Sequence, residues 1–166
     1  MNKIEYKNIF KNLLVVLMFF LLDRITKIYI LQMVELENIV DVYLTSYLNL
    51  YFIWNQGIAF GLFSFDNNVI YGFITFLIAT VNIIILVMII KAEGFKKYSL
   101  MLVLGGSLGN LFDRIYYGAV PDFIDLHINN FHWFIFNVAD IFITLGVICL
   151  IYAEIFFNKG KDEQSI

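Results

Sequence analysis

The stretch VIYGFITFLIATVNIIILVMII, Val69–Ile90, contains no charged side chain and only scattered polar ones. A helix needs about 20 predominantly apolar residues to cross the hydrocarbon core of a bilayer. This stretch meets that requirement over its whole length, so it predicts a transmembrane helix.

Comparable apolar stretches flank it at approximately 12–31, 98–117 and 133–157. Of the 166 residues, 61% are hydrophobic and 15% charged, and a soluble domain of this size buries too little surface for that composition. We therefore predict an all-α integral membrane protein with four transmembrane helices, forming one domain over residues 1–166. The sequence has no basic patch that would indicate a nucleic-acid partner.

The positions of lysine predict the orientation of these spans. Positive residues near helix ends remain in the cytoplasm, and the loops 32–68 and 118–132 contain neither lysine nor arginine. Both loops are therefore predicted to be extracytoplasmic and both termini cytoplasmic. The lysines on the cytoplasmic side are Lys3, Lys7, Lys11, Lys91, Lys96, Lys97, Lys159 and Lys161.

Part of the first loop has strand character. Tyr47–Trp54 is rich in aromatic and aliphatic residues and is followed by the turn-forming Asn55, Gln56 and Gly57. Such a pattern favours a β-strand. We therefore predict a small β element in the first extracytoplasmic loop.

Charged residues interrupt three of the predicted spans. A lone charge inside a span costs about 3 kcal/mol or more, so Asp23, Asp113 and Asp140 normally indicate a pathway or site. At about 1.5 Å per residue, all three fall in the outer halves of their spans. We therefore predict a polar cavity at that depth. Other polar residues at that level, or able to reach it from an outer loop, are Arg24, Lys27, Asn55, Asn110, Arg114, Asp122 and Asn137.

Structural roles remain open for several of these residues. Asp23 and Lys27 have the spacing and order of a helical ion pair, which serves either the fold or the site. Asn110, Asp113 and Arg114 share one helix face and are also able to tie helices together. The small residues that favour close helix packing are Gly105, Gly106, Ser107 and Gly109.

Three alternative functions have some support in the sequence. The string GGSLG, Gly105–Gly109, matches the G-x-S-x-G pattern of serine hydrolases, but it lies in a predicted membrane helix rather than at a strand-turn-helix elbow, and both histidines are in the third loop. His127 and His132 lie in the third loop without H-E-x-x-H zinc spacing, and are interpreted as surface or structural residues. A carrier or proton-conducting protein also needs intramembrane charges, but they should continue towards the cytoplasmic side, where these spans have none. The remaining catalytic candidates are carboxylates, which share a proton and activate water without a metal or a cofactor.

Five short motifs then occur in order along most of the chain. They are DRITK at 23–27, NQGIAFG at 55–61, GGSLGNLFDR at 105–114, VPDFID at 120–125 and FNVAD at 136–140. In sequence and order they resemble the motifs of bacterial prolipoprotein signal peptidase, also called signal peptidase II. Pro121 and Ile58 depart from that pattern, since the family usually has an aliphatic and a small residue there.

The resemblance implies a membrane aspartic endopeptidase that removes signal peptides from lipid-modified prolipoproteins, cleaving on the N-terminal side of the diacylglyceryl cysteine. It implies that Asp122 and Asp140 are the catalytic pair. The implied partners are the prolipoprotein and membrane lipid, and the implied location is the bacterial cytoplasmic membrane, with the site near the outer leaflet. The supporting or substrate-binding residues that it implies are Asp23, Lys27, Asn55, Gly57, Asn110, Asp113, Arg114 and Asn137.

Overall fold

The computed structural model describes residues 3–37, 40–57, 68–129 and 131–157. Within these residues the chain forms four helices, α1 (Lys3–Glu37), α2 (Asn68–Lys91), α3 (Gly94–Tyr116) and α4 (Val138–Phe157). The strands are β1 (Asp41–Thr45), β2 (Leu48–Asn55), β3 (Val120–Ile128) and β4 (Phe131–Phe136). Ile58, Lys159 and Lys161, used in the sequence analysis, lie outside the described residues.

The helices present apolar side chains to their surroundings. On α2, Phe73 and Phe76 are 65% and 70% exposed, an arrangement that suits acyl chains better than water. By length and hydropathy, two helices in the described part of the chain qualify as membrane spans, over Val69–Lys91 and Val138–Phe156. Helices α1 and α3 are as long, but they carry charged side chains that are buried within the bundle.

The described strands form an antiparallel sheet in the order β1-β2-β3-β4. Strand β2 confirms the strand expected at Tyr47–Trp54. The expectation of β structure in the first loop alone was too narrow, because the third loop supplies β3 and β4. Gly118, with φ of +69°, adopts the left-handed conformation that turns the chain from α3 towards β3.

The predicted start of the fourth span at Trp133 is wrong. Trp133 lies in β4, which pairs with β3, and α4 begins only at Val138. The stretch Phe131–Phe136 is dominated by aromatic residues, which pack well on a pleated surface, and pairing with β3 supplies partners for its backbone groups. His127 and His132 therefore lie on paired strands rather than in a loop.

Two glycines allow α3 to approach its neighbours closely. A Cβ atom on Gly106 would lie 2.5 Å from the backbone oxygen of Ala139 in α4. A Cβ atom on Gly109 would collide with the carboxylate of Asp23 in α1. The packing interpretation of the glycine-rich stretch is therefore correct for both residues.

Replacing Gly106 by alanine is expected to destabilise the protein by about 1–3 kcal/mol, because the added methyl group overpacks the contact between α3 and α4. Gly72→Ala is the matched control, since a Cβ atom at that position on α2 meets no atom within 4 Å. Thermal unfolding of the two variants in detergent makes the comparison. Equal melting temperatures would contradict the close contact of α3 with α4.

Candidate active site

The carboxylate of Asp122 lies on β3 and is held by two amides. Asn137 donates a hydrogen bond from Nδ2 to its Oδ1 at 2.6 Å, and Asn55 donates from Nδ2 to its Oδ2 at 2.8 Å. Asn55 is oriented in turn by the backbone N–H of Gly57, which donates to its Oδ1 at 2.8 Å. The Asp122 side chain is thus fixed at both oxygens and is almost fully buried.

The carboxylate of Asp140 lies in the first turn of α4, where Asn137 caps the helix. The backbone N–H of Asn137 donates to Asp140 Oδ2 at 3.1 Å, and the backbone N–H of Asp140 donates to Asn137 Oδ1 at 3.1 Å. This reciprocal arrangement is a capping box. Because Asn137 also bonds Asp122, one residue connects the two carboxylates.

A cluster of buried ion pairs joins α1 to α3 beside Asp140. This ion-pair cluster comprises Asp23, Arg24, Lys27 and Asp113. Lys27 Nζ lies 2.9 Å from Asp23 Oδ2 and 2.7 Å from Asp113 Oδ2, and Arg24 Nη1 lies 2.6 Å from Asp113 Oδ1. Two positive and two negative side chains therefore balance one another inside the bundle.

The ion-pair cluster is linked to Asp140 through side chain and backbone. Lys27 donates a hydrogen bond to Asn110 Oδ1 at 2.7 Å, and Asn110 donates from Nδ2 to Asp140 Oδ1 at 2.8 Å. Asp23 Oδ1 accepts a hydrogen bond from the backbone N–H of Ala139 at 3.0 Å, at the start of α4. The predicted Asp23–Lys27 pair is therefore formed, and it supports both the fold and the position of Asp140.

Both aspartates line a cavity of about 240 Å³ between the sheet and the helices. Arg114 also lines it, with only 6% of its surface exposed. Its Nε and Nη1 are buried and have no hydrogen-bond partner in the described part of the chain. The other lining residues are Asn55, Ile78, Ser107, Asn110, Val120, Asn137, Ile143 and Thr144.

Burial raises the pKa of Asp122 to about 7, and the nearby charge of Asp140 adds to the rise. Hydrogen bonds from Asn55 and Asn137 favour the ionised form and oppose the shift. Near neutral pH, the carboxyl group of Asp122 is therefore readily protonated.

The serine alternative lacks its base in the structure. Ser107 lines the cavity, but His127 and His132 are not among the described residues around it and instead contact Asp125 on the sheet. A serine hydroxyl needs an adjacent base to become a nucleophile. The cavity therefore offers carboxylates rather than a serine–histidine pair.

The double role of Asn137 and the apolar part of the cavity wall were not predicted from the sequence. Asn137 followed three residues later by Asp140, ahead of an apolar run, is an N-terminal helix signal that was available in the sequence. Ile78 and Ile143 carry no comparable signal, because only the packing of α2 and α4 brings them to the cavity.

The apolar bundle, with its buried polar cavity beneath a sheet, defines a membrane-embedded hydrolase. A family model described as signal peptidase (SPase) II matches residues 15–156. The chain belongs to this family of peptidases.

Individual relatives agree with that membership. A lipoprotein signal peptidase of Pelagibacter ubique (strain HTCC1062) is 56% identical over 164 residues, covering 99% of each chain. One of Anaplasma phagocytophilum (strain HZ) is 40% identical over 137 residues, covering 81% of this chain and 85% of the relative. A bacterial membrane enzyme solved by the in meso method at 2.3 Å resolution superposes with a TM-score of 0.69 at 26% identity, covering 91% of each chain.

Replacing Lys27 by methionine is expected to lower the stability by about 3–5 kcal/mol, because it leaves the two buried carboxylates of Asp23 and Asp113 with Arg24 as their one cation in the ion-pair cluster. Lys96→Met is the control: Lys96 makes an exposed ion pair with Glu154 at 3.4 Å, and such pairs contribute little. The measurement is thermal unfolding in detergent. A Lys27→Met protein as stable as the control would show that the ion-pair cluster does not hold α1 against α3.

Proposed function

We propose that this chain is an aspartic endopeptidase that removes the signal peptide from lipid-modified prolipoproteins, cleaving on the N-terminal side of the diacylglyceryl cysteine. One observation carries the proposal: Asp122 and Asp140 are buried, joined by Asn137 and open to the same cavity. The family, with relatives named lipoprotein signal peptidase, supports the substrate class.

The two carboxylates divide the proton transfers between them. The ionised aspartate takes a proton from water as the water oxygen attacks the scissile carbonyl carbon, while the protonated aspartate gives its proton to the carbonyl oxygen. The tetrahedral intermediate then breaks its C–N bond. The proton taken from water passes to the leaving amine, and the intermediate's hydroxyl proton returns to the other aspartate, which restores the pair.

The asparagines and Gly57 act as positioning residues. Asn55, Asn110 and Asn137 donate hydrogen bonds to the carboxylates of Asp122 and Asp140 and so hold each of them in one rotamer. Gly57 supports Asn55 through its backbone N–H. A preorganised arrangement of this kind removes the cost of orienting the groups during the reaction.

The remaining charged residues bind the substrate or support the positions of the site residues. Arg114 has buried donors at the cavity, and these are suited to carbonyl oxygens of a bound peptide. The ion-pair cluster, through Lys27 and Asp23, holds Asn110 and the start of α4. These residues therefore act on the reaction through position rather than through proton transfer.

The proposed orientation places the sheet and the dyad near the outer leaflet, with four spans and both termini in the cytoplasm. Two aromatic side chains where the sheet meets α3 support it: Trp54 and Tyr117 have ring centroids 5.4 Å apart and are 46% and 39% exposed. Tryptophan and tyrosine favour the boundary between membrane and water. A diacylglyceryl cysteine anchored in the outer leaflet would then lie at the depth of the carboxylates.

A transport pathway fits the distribution of charge less well. Among the described residues, the buried charged side chains belong to the site end of the bundle or to the sheet. The other end is closed by an apolar core that includes Val16, Leu100, Met101 and Leu104. A carrier would need charged groups through this region, and the other buried polar side chains described on α2 and α3, Asn82 and Ser99, are uncharged.

Asp122→Asn and Asp140→Asn are each expected to reduce cleavage of a purified diacylglyceryl-modified precursor by about 10²–10⁴-fold, because either change removes a proton-transfer group. The double variant should be little worse than either single one, since the pair acts as a unit. Ser107→Ala, at the wall of the same cavity, is the control and should retain most activity. Normal cleavage by a well-folded single aspartate variant would refute the dyad.

We expect kcat/KM to fall as the pH rises through about 7. The raised pKa of Asp122 lies there, and the pair loses its shared proton above it. Asn55→Ala should move this alkaline limb to higher pH, because the amide favours the ionised carboxylate and lowers its pKa. Initial rates between about pH 5 and 9 provide the test. An alkaline limb that stays in place in Asn55→Ala would exclude Asp122 as its source.

A further inference from the structure

Three ligand-type side chains meet on one face of the β3–β4 hairpin. His127 and His132 are directly paired across the strands, with ring centroids 5.3 Å apart and planes inclined by 27°. Asp125 precedes His127 by two residues on β3, and alternate residues of a strand share a face. We call Asp125, His127 and His132 the hairpin site.

The carboxylate of Asp125 lies close to the Nδ1 atoms of both imidazoles. His132 Nδ1 is 2.8 Å from Asp125 Oδ2, while His127 Nδ1 is 3.6 Å from the same oxygen. One suitable atom from each of the three residues lies within 4.8 Å of the others. The three side chains therefore form one cluster rather than separate pairs.

Two buried polar atoms on this face lack hydrogen-bond partners in the described part of the chain. His127 Nδ1 is one of them, on a side chain that is only 10% exposed. Asn49 Oδ1 is the other, and Asn49 is the direct register partner of Asp125 on β2. Unsatisfied buried polar atoms are rare in native folds and call for an explanation. A bound cation would satisfy both, directly or through its water.

We propose that the hairpin site binds a divalent transition-metal ion, with Zn²⁺ the best match. Two imidazole nitrogens and one carboxylate, with a fourth position for water or Asn49, form a donor set that zinc commonly uses. At metal–ligand distances of about 2.0–2.2 Å, tetrahedral ligands lie about 3.3–3.6 Å apart. The two separations from Asp125 Oδ2, 2.8 and 3.6 Å, lie near that spacing, and the ligand atoms of the two histidines lie within 4.8 Å of each other.

The ion would be structural rather than catalytic. On β3, Asp122 and Asp125 are three residues apart and so face opposite sides of the sheet, and the hairpin site does not line the cavity. A metal bridging His127 and His132 would cross-link β3 to β4. If the proposed function is correct, this clamp joins the strand that carries Asp122 to the strand that leads into Asn137.

The test uses the full chain, purified in detergent without a polyhistidine tag and treated with EDTA. Titration with ZnCl₂ by calorimetry should give one saturable site per chain, and Zn²⁺ should raise the melting temperature. Co²⁺ should give the visible absorption of a tetrahedral complex. His132→Ala should weaken binding by at least about tenfold. Its side chain is 57% exposed, so the change should not disturb packing.

Two controls separate this proposal from the proposed function. Trp133→Phe alters the neighbouring residue on the same strand and should bind Zn²⁺ normally. Asp122→Asn should bind Zn²⁺ normally even where cleavage is lost, so failure of either proposal leaves the other intact. Absence of saturable 1:1 binding, or unchanged binding by His132→Ala, would show that the hairpin site is only a hydrogen-bonded Asp–His group.

Discussion

A charged side chain in a low-dielectric interior needs a partner of opposite sign, and in this protein that requirement joins α1 to α3. Lys27 is completely buried between Asp23 and Asp113, so neither helix is able to move away without exposing a charge to an apolar environment. The same ammonium group orients Asn110, which holds Asp140. Charge neutralisation between α1 and α3 therefore determines the geometry of the site.

The second constraint is the N-terminus of α4. A helix start leaves backbone N–H groups that need acceptors, and its dipole favours negative charge there. Asn137 and Asp140 satisfy these donors for each other, and Asp23 takes the N–H of Ala139. One capping arrangement thus ends β4, begins α4 and positions both carboxylates, because the side chain of Asn137 continues to Asp122.

Most of the helical fold could be predicted because long apolar runs identify membrane helices locally. The convergence of Asp23, Asp113 and Asp140 could also be predicted, since depth in a membrane follows from counting residues along a helix. The beginning of α4 could not. The residues around Trp133 are as apolar as those of a membrane helix, and their pairing with β3 makes them a strand. Pairing also brings His127 to His132, which no local motif indicated.

Strand β3 contacts a different environment on each face of the sheet, because its successive side chains point to opposite faces. Asp122 faces the cavity that Asp140 also lines, whereas Asp125 faces two imidazoles at the surface of the sheet. The β3–β4 hairpin begins near Asp122 and ends next to Asn137, which bonds Asp122, so a change in the pairing of these strands would move Asp122 relative to the start of α4. A cation bound at the hairpin site, as we propose, would therefore act on the two carboxylates through the backbone, without sharing a ligand with either.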